Sequence, residues 1–518
     1  MFKESENRYK TAISRTLSAE VACDYVLPDY LGEVRKILFT EACALPLPTY
    51  VNGEEICASG AVRFRMIYTD SEGEMSSVEF TEDYEVCDRA EDREALALNA
   101  ESYIASYSMR LVGPRKISAK ARVAADLTLI SEAQNELVGT AMELGGVELA
   151  SESISVIDSV IGETSELEYA EELAALEGAI ADEVRVVYET AESHIGECRA
   201  ANDEVWVSGE HCVTALVCVS GAPACIYRKS IPFAETLGLK GATDAMTACV
   251  RIEHPSVKVN VTPTESGTSL VASLIAAYTP MAEGNTEIKL YTDGYLTDRE
   301  VECEHHELET DELLHREILR DAFEVTLSPE VLSLESPREI LFVRAEARPS
   351  RTELVDGTLH TEAEIRFSGI ACEINAEGAP VYAPLRYTAE YKHSIPVEIH
   401  TDGDVITEVD ARTLSASGRV EECGVILSAT VELDARISEK HHHRALCRID
   451  AVGEPYAKRS ESCIRVYYPD SEDTLFSVAR RFRTTTERIA IDNALTDTAV
   501  ADKSAPASLR GVAKLIIK

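Results

Sequence analysis

A chain of 518 residues exceeds what one hydrophobic core can organise and has room for three or four domains of roughly 150 residues each. Its content of 45% hydrophobic and 27% charged residues is that of chains able to bury a core, which excludes wholesale disorder. The 91 Asp and Glu against 50 Lys and Arg give a net charge of −41, spread along the chain. Such a surface keeps a protein soluble, repels nucleic-acid phosphates and anionic headgroups, and draws in basic protein surfaces or cations, so nucleic acid is excluded as a partner.

Residues 1–10 (MFKESENRYK) are polar and mixed in charge, and no apolar stretch of signal-peptide length follows them. No run of about 18 apolar residues occurs anywhere, so no membrane insertion is expected and a cytoplasmic protein is. From there the chain repeats itself with a period of about 150 residues, which points to tandem domains and not to a solenoid. The first part of each copy is an alternating strand pair: residues 51–74, 202–219 and 354–372. A polar stretch with an aromatic or Pro-Phe element follows each, around Phe80 and Tyr84, Phe233, and Tyr387 and Tyr391. The second part returns at 110–129, 251–276 and 410–433, where alternating apolar positions such as Ile117, Ala119, Ala121 and Val123 suit half-buried strands. Between copies one and two, Tyr169, Leu173, Leu176 and Ile180 fall at helical spacing in 165–180, predicting an amphipathic helix packed on its own module or offered to a partner.

The last 55 residues follow another pattern. Residues 464–469 read as a strand; Leu475, Val478, Ala479 and Phe482 then form one helical stripe, with Asp473 or Thr474 as N-cap. Thr484 and Glu487 stand at capping-box spacing for a second helix, and AKLIIK closes the chain as a strand. The predicted fold is therefore mainly β, with β-rich modules over 1–145, 146–290 and 291–455 and a small βααβ domain over 463–518.

Fourteen cysteines are scattered singly with no CxxC pair, and several lie in strand-like runs, such as Cys212 and Cys218, as buried free thiols would. No disulfide framework is expected. Cys303, His305 and His306, and His441, His442 and His443, form two clusters without a second ligand pair at zinc spacing. Consecutive strand residues face opposite ways, so solvated histidines at turns or strand ends are expected, not a metal site. Trp206, flanked by Val205 and Val207, reads as a core or edge anchor, with exposure for protein contact as the alternative. Phosphate-loop, HExxH and GxSxG signatures do not occur, so neither an enzyme nor a cofactor is expected.

The C-terminal unit resembles a LysM domain, through Asp473, Thr474, Leu475, Ala479, Phe482, Asn493 and Leu495. That family binds N-acetylglucosamine glycans in a groove between its first turn and the loop before its last strand. Here Glu472 replaces the turn glycine and SAPASLRGVAKLIIK stands for the usual Pro-Gly-Gln loop, both where the family holds its sugar. The repeats resemble the SPOCS module of Firmicute sporulation proteins, through LPDYLGEVRKIL at 27–38, the strand pair from 51, and LVGPRKISAKARV at 111–123. The first copy is the nearest match. SPOCS modules ending in a LysM domain are the layout of the SipL-like family of clostridial sporulation proteins. The resemblance implies a non-enzymatic mother-cell scaffold at the forespore surface and spore coat, whose LysM-like domain docks the spore-coat morphogenetic ATPase of stage IV sporulation. The alternative is a peptidoglycan-binding protein of the wall or cortex. Either way the implied contact residues are Asp473, Thr474, Leu475, Phe476 and Asn493, with Phe476 lying off the helical stripe, either toward solvent or as a partly buried flank residue.

Overall fold

The computed structural model describes residues 8–45, 49–52, 55–89, 95–134, 147–375, 380–399, 401, 403–422, 424–456, 464–470, 472–495, 509 and 512–517. Among these the chain is mainly β and every paired strand is antiparallel, as the period-2 alternation requires.

The strands fall into three sets with one pairing scheme. In the first, β1 (Arg8–Val26), β6 (Ala95–Gly113) and β7 (Lys116–Gln134) form a sheet in the order β1-β7-β6. It packs on a second sheet of β2 (Lys36–Ala44), β4 (Glu55–Thr69) and β5 (Met75–Arg89), to which β3 (Thr49–Asn52) adds a short edge. The second set has β9 (Ser165–Glu177), β13 (Thr247–Thr264) and β14 (Gly267–Leu296) in one sheet, and β10 (Val184–Ala201), β11 (Glu204–Val219) and β12 (Cys225–Gly238) in the other. In the third, β15 (Glu300–Leu327) joins β19 (Asp404–Glu421) and β20 (Gly424–Val452), against β16 (Pro337–Val355), β17 (Thr358–Ile374) and β18 (Pro380–Pro396). Each time the first strand pairs with the last, enclosing a three-strand meander. The alternation at Ile117, Ala119, Ala121 and Val123 is realised in β7, with all four side chains buried. Phe80, Tyr84, Phe233 and Tyr391 are buried too, and Phe80 stacks between Tyr25 and Phe64.

The three meanders share a core. Each opening strand carries a register shift just before an aromatic residue: Phe39 in β2, Tyr188 in β10 and Phe342 in β16. A bulge re-aims the following side chain. The three rings meet with centroids 5.6 Å (Phe39–Tyr188), 5.2 Å (Phe39–Phe342) and 4.8 Å (Tyr188–Phe342) apart, among Ile67, Leu216 and Ile370. Arg65 lies over the Tyr188 ring and donates to the Glu189 carbonyl at 2.7 Å, while Glu41 accepts from the Tyr188 hydroxyl and pairs with Arg344. Arg348 of the third set caps the Ile104 and Ala105 carbonyls, both at 2.6 Å, where β6 shifts register. The sets thus exchange buried apolar area and charge-assisted hydrogen bonds.

Beyond this body β14 runs on to pair with β8 (Val147–Ile161), and the outer halves of β15 and β20 stay paired. These two ribbons pack through Ile154, Val156, Leu290 and Ala445, then Tyr291, Leu446 and Ile449, making a stalk. At its end sits a unit of β21 (Arg465–Tyr467), α1 (Leu475–Phe482), α2 (Thr486–Asp492) and β22 (Leu515–Ile517), with β21 paired to β22.

Four expectations are corrected. Residues 165–177 are strand β9 and not a helix: twelve residues of β14 from Gly267 to Tyr278 offer them a complete backbone ladder, with one register shift that lets Leu173 turn inward and be buried. A ladder against a buried partner outweighs helix propensity, which is worth a few tenths of a kcal/mol per residue, about 0.7 at most for ordinary residues. Cys57 and Cys87, directly opposed on β4 and β5, form a disulfide rather than two free thiols. The histidine clusters lie within the β15–β20 ladder and not at turns or strand ends; His441 pairs with Thr310, and His305 with Leu446. Their rings engage local partners: His305 Nε2 is 3.1 Å from the Thr292 carbonyl and His441 Nε2 is 3.2 Å from Glu312. Trp206 lies half-buried on the face opposite Val205 and Val207, beneath the Arg199 guanidinium, outside the core. Among the described residues the one ligand grouping with metal-like spacing is Glu55, Cys57 and Cys87, whose thiols are spent in the disulfide.

Candidate functional site at the C-terminal unit

Two short helices of eight and seven residues are too brief to stand on propensity alone, so caps and a common core hold them. Thr474 is the N-cap of α1: its hydroxyl accepts from the Ser477 N–H at 3.0 Å, and the Ser477 hydroxyl lies 3.0 Å from the Thr474 N–H, a capping box. The cap of α2 is Thr485, one residue beyond the Thr484 of the sequence pattern, and it accepts from Arg488 N–H at 3.1 Å. Leu475, Val478, Ala479, Ile489, Ala490, Leu515 and Ile517 are buried together between helices and sheet.

The five residues expected at a contact site have definite structural work. Asp473 accepts from the Tyr467 hydroxyl at 2.6 Å and from the Asp470 N–H at 2.9 Å, bonds that hold its carboxyl below the usual carboxylate range. Thr474 is the cap, and Leu475 is 3% exposed, a core residue. Asn493 donates to the Ile489 and Ile516 carbonyls at 2.8 and 2.7 Å and accepts from Ile516 N–H, binding α2 to the last strand. Asp473, Thr474, Leu475 and Phe476 thus share the first turn, whereas Asn493 is turned to β22.

Of the two placements expected for Phe476, the structure has the partly buried flank and not the solvent-facing one. It is half-buried, its ring edge-on to Tyr295 at the end of β14, centroids 5.1 Å apart. The Tyr295 hydroxyl donates to the Thr484 carbonyl at 2.7 Å, and burial raises its pKa. Around this ring pair Arg480 meets Asp293 at 2.5 Å, and the Thr486 hydroxyl donates to Glu148 at 2.8 Å. The Arg483 guanidinium covers the Tyr456 ring at 3.4 Å. Sequence reasoning missed Tyr295, Asp293 and Glu148 because they lie almost two hundred residues or more upstream, beyond any local pattern.

Facing away from this seat are Ile464, Val466 and Tyr468, which alternate along β21 and its flanks and are 69%, 53% and 70% exposed, and Ile491 on α2 at 68%. The unit also differs in charge. Residues 464–518 hold 9 of the 50 Lys and Arg and 7 of the 91 Asp and Glu, making them net +2 and the rest of the chain net −43. A near-neutral unit with exposed apolar side chains is thus held by a stalk on an acidic body. No known protein family, curated protein or solved structure matches the chain.

Proposed function

We propose that the chain is a non-enzymatic scaffold of spore-envelope assembly, a SipL-like protein with SPOCS-like modules. Its C-terminal LysM-like unit docks the spore-coat morphogenetic ATPase of stage IV sporulation in the mother cell at the forespore surface. The observation that carries the reading is the placement of the C-terminal unit: among the described residues it meets the rest of the chain at the ends of the stalk ribbons and at Tyr456, and it leaves Ile464, Val466, Tyr468 and Ile491 exposed. Exposed aliphatic and aromatic side chains in one small unit are the composition of a contact patch. The three sets of sheets, joined through one core, supply the rigid body that such an adaptor needs.

Peptidoglycan binding by the same unit is the second reading, favoured by the glycan chemistry of the LysM family. Against it, Leu475 and Asn493 are committed to the core and to β22. The deciding experiment is a pull-down from sporulating cells with the full chain and with a chain ending at residue 463, run beside a peptidoglycan sedimentation assay. Retention of the ATPase by the full chain alone supports the adaptor; sedimentation with peptidoglycan and no retained protein overturns it.

A further inference from the structure

The β4–β5 hairpin of the first set carries a cysteine pair that its two counterparts lack. Cys57 faces Cys87 across the ladder; at the same level of the second and third sets stand Trp206 opposite Thr236 and His360 opposite Ser394. Two of three copies hold this row without a covalent link, so the fold does not require one. Ten other described cysteines are free thiols, the exposed Cys225 among them. In surroundings that leave so many thiols free, a lone cysteine pair serves redox or metal chemistry more often than structure.

A third ligand stands beside the pair. Glu55, two residues before Cys57, shares its face of β4, and a carboxylate oxygen lies within 4.8 Å of both sulfurs. All three groups sit on two directly paired strands, so the ladder fixes their spacing. Zn²⁺ holds thiolate sulfur at about 2.3 Å and carboxylate oxygen at about 2.1 Å, which sets neighbouring ligand atoms of a tetrahedron about 3.6–3.8 Å apart, inside that spacing. Cys57 is 2% exposed, whereas Glu55 and Cys87 are exposed. One side of the group is therefore sealed, and the other is open to an incoming ion and to a water as fourth ligand. Glu85, two residues before Cys87 on the same face, adds negative charge and accepts from the Tyr50 hydroxyl. Arg89, across from Glu55, is exposed and can turn its guanidinium to water.

We propose that this corner of the first set is a redox-gated zinc site. Closed as a disulfide it takes no metal; opened by a dithiol reductant it binds one Zn²⁺ through the sulfurs of Cys57 and Cys87 and the carboxylate of Glu55. In the opening step a thiolate of the reductant attacks the exposed Cys87 sulfur, the S–S bond breaks and Cys57 leaves as a thiolate. The second thiol of the reductant then displaces Cys87, so the reductant ends as a disulfide and the chain gains two electrons and two protons. Zn²⁺ binding releases those two protons, because the thiolate is the ligand. Mg²⁺ and Ca²⁺ prefer oxygen and gain nothing from the sulfurs, so they do not compete.

The test uses the full chain, reduced with a phosphine and kept free of oxygen, with Co²⁺ as a spectroscopic stand-in for Zn²⁺. A thiolate-to-cobalt charge-transfer band is expected, stronger in the reduced parent than in Cys87→Ser or in the chain with its disulfide closed, and abolished by Zn²⁺. Glu55→Gln is expected to bind at least about tenfold more weakly. Because other thiols can take up Co²⁺, alkylation by iodoacetamide read peptide by peptide assigns the site: Zn²⁺ is expected to protect Cys87 and to leave Cys225 reactive. A band of equal strength in Cys87→Ser, an unchanged affinity in Glu55→Gln, or Cys87 alkylated equally fast with and without Zn²⁺ overturns the proposal. The alkylation comparison is made on the parent chain, so it decides the matter even should a variant fail to fold.

Discussion

Glu192 shows how much one buried carboxyl sets the pH response. In the folded chain burial holds its pKa at about 7 against 4.5 for the free side chain, with Arg228 opposing only in part. The folded state therefore keeps a proton that the unfolded chain has lost, so stability present below pH 4.5 is lost as pH rises through 7. Glu192→Gln is expected to be about 1–2 kcal/mol more stable than the parent at pH 8 and equal to it at pH 4, read from urea melts at both values. His211 acts with the opposite sign: its folded pKa of about 4 lies below 6.5, so its contribution is present above pH 6.5 and is lost as pH falls through 4. Arg65, 11% exposed and bonded to Glu79 and to the Glu189 carbonyl, holds the shared core from a third direction. Arg65→Met is expected to cost about 1–2 kcal/mol, since it leaves the part-buried Glu189 carbonyl without its donor while the half-exposed Glu79 carboxylate turns to water, and a thermal melt at pH 7 checks it.

At the scale of elements, β9 separates local preference from what the fold enforces. Tyr169, Leu173 and Leu176 repeat as a helix would, and Glu and Ala fill the intervening positions, so the segment itself favours a helix. The exposed edge of β14 decides otherwise, because its N–H and C=O groups would go unpaired without β9. A peptide of residues 165–180 is expected to be helical by circular dichroism in trifluoroethanol, whereas hydrogen exchange in the whole chain should show β9 protected together with β14. The β4–β5 hairpin supplies a second case: peptide mapping without reductant is expected to recover Cys57 and Cys87 in one cross-linked pair. Neither outcome is local. Opposition across a ladder depends on register, and the register that brings together two cysteines thirty residues apart is set by how the paired strands bury their faces.

For the whole molecule, the balance lies between an acidic body and a near-neutral C-terminal unit seated on it through Arg480–Asp293, Thr486–Glu148 and the Phe476–Tyr295 rings. Raising salt to about 0.5 M shrinks the screening length to about 4 Å, so the ionic part of the seat weakens and the ring contact stays. Proteolysis after residue 456 is expected to accelerate a few-fold in high salt and further in Tyr295→Ala. The aromatic pair is worth about 1 kcal/mol beyond its buried area, so a double-mutant cycle with Phe476→Ala should return a coupling of that size.

Period-2 alternation in 110–129 and its two returns, and the caps and stripe of 475–482, were legible in the sequence because each is a local pattern whose partner is implied by the pattern itself. Thr474 and Leu475 could be placed on a helix start from six neighbouring residues. The meeting of Phe39, Tyr188 and Phe342, the turning of Phe476 onto Tyr295 and the strand state of 165–177 were decided only in three dimensions. Each depends on groups brought together from tens to hundreds of residues away, whose burial and hydrogen-bond demands outweigh the propensities that a local reading can see.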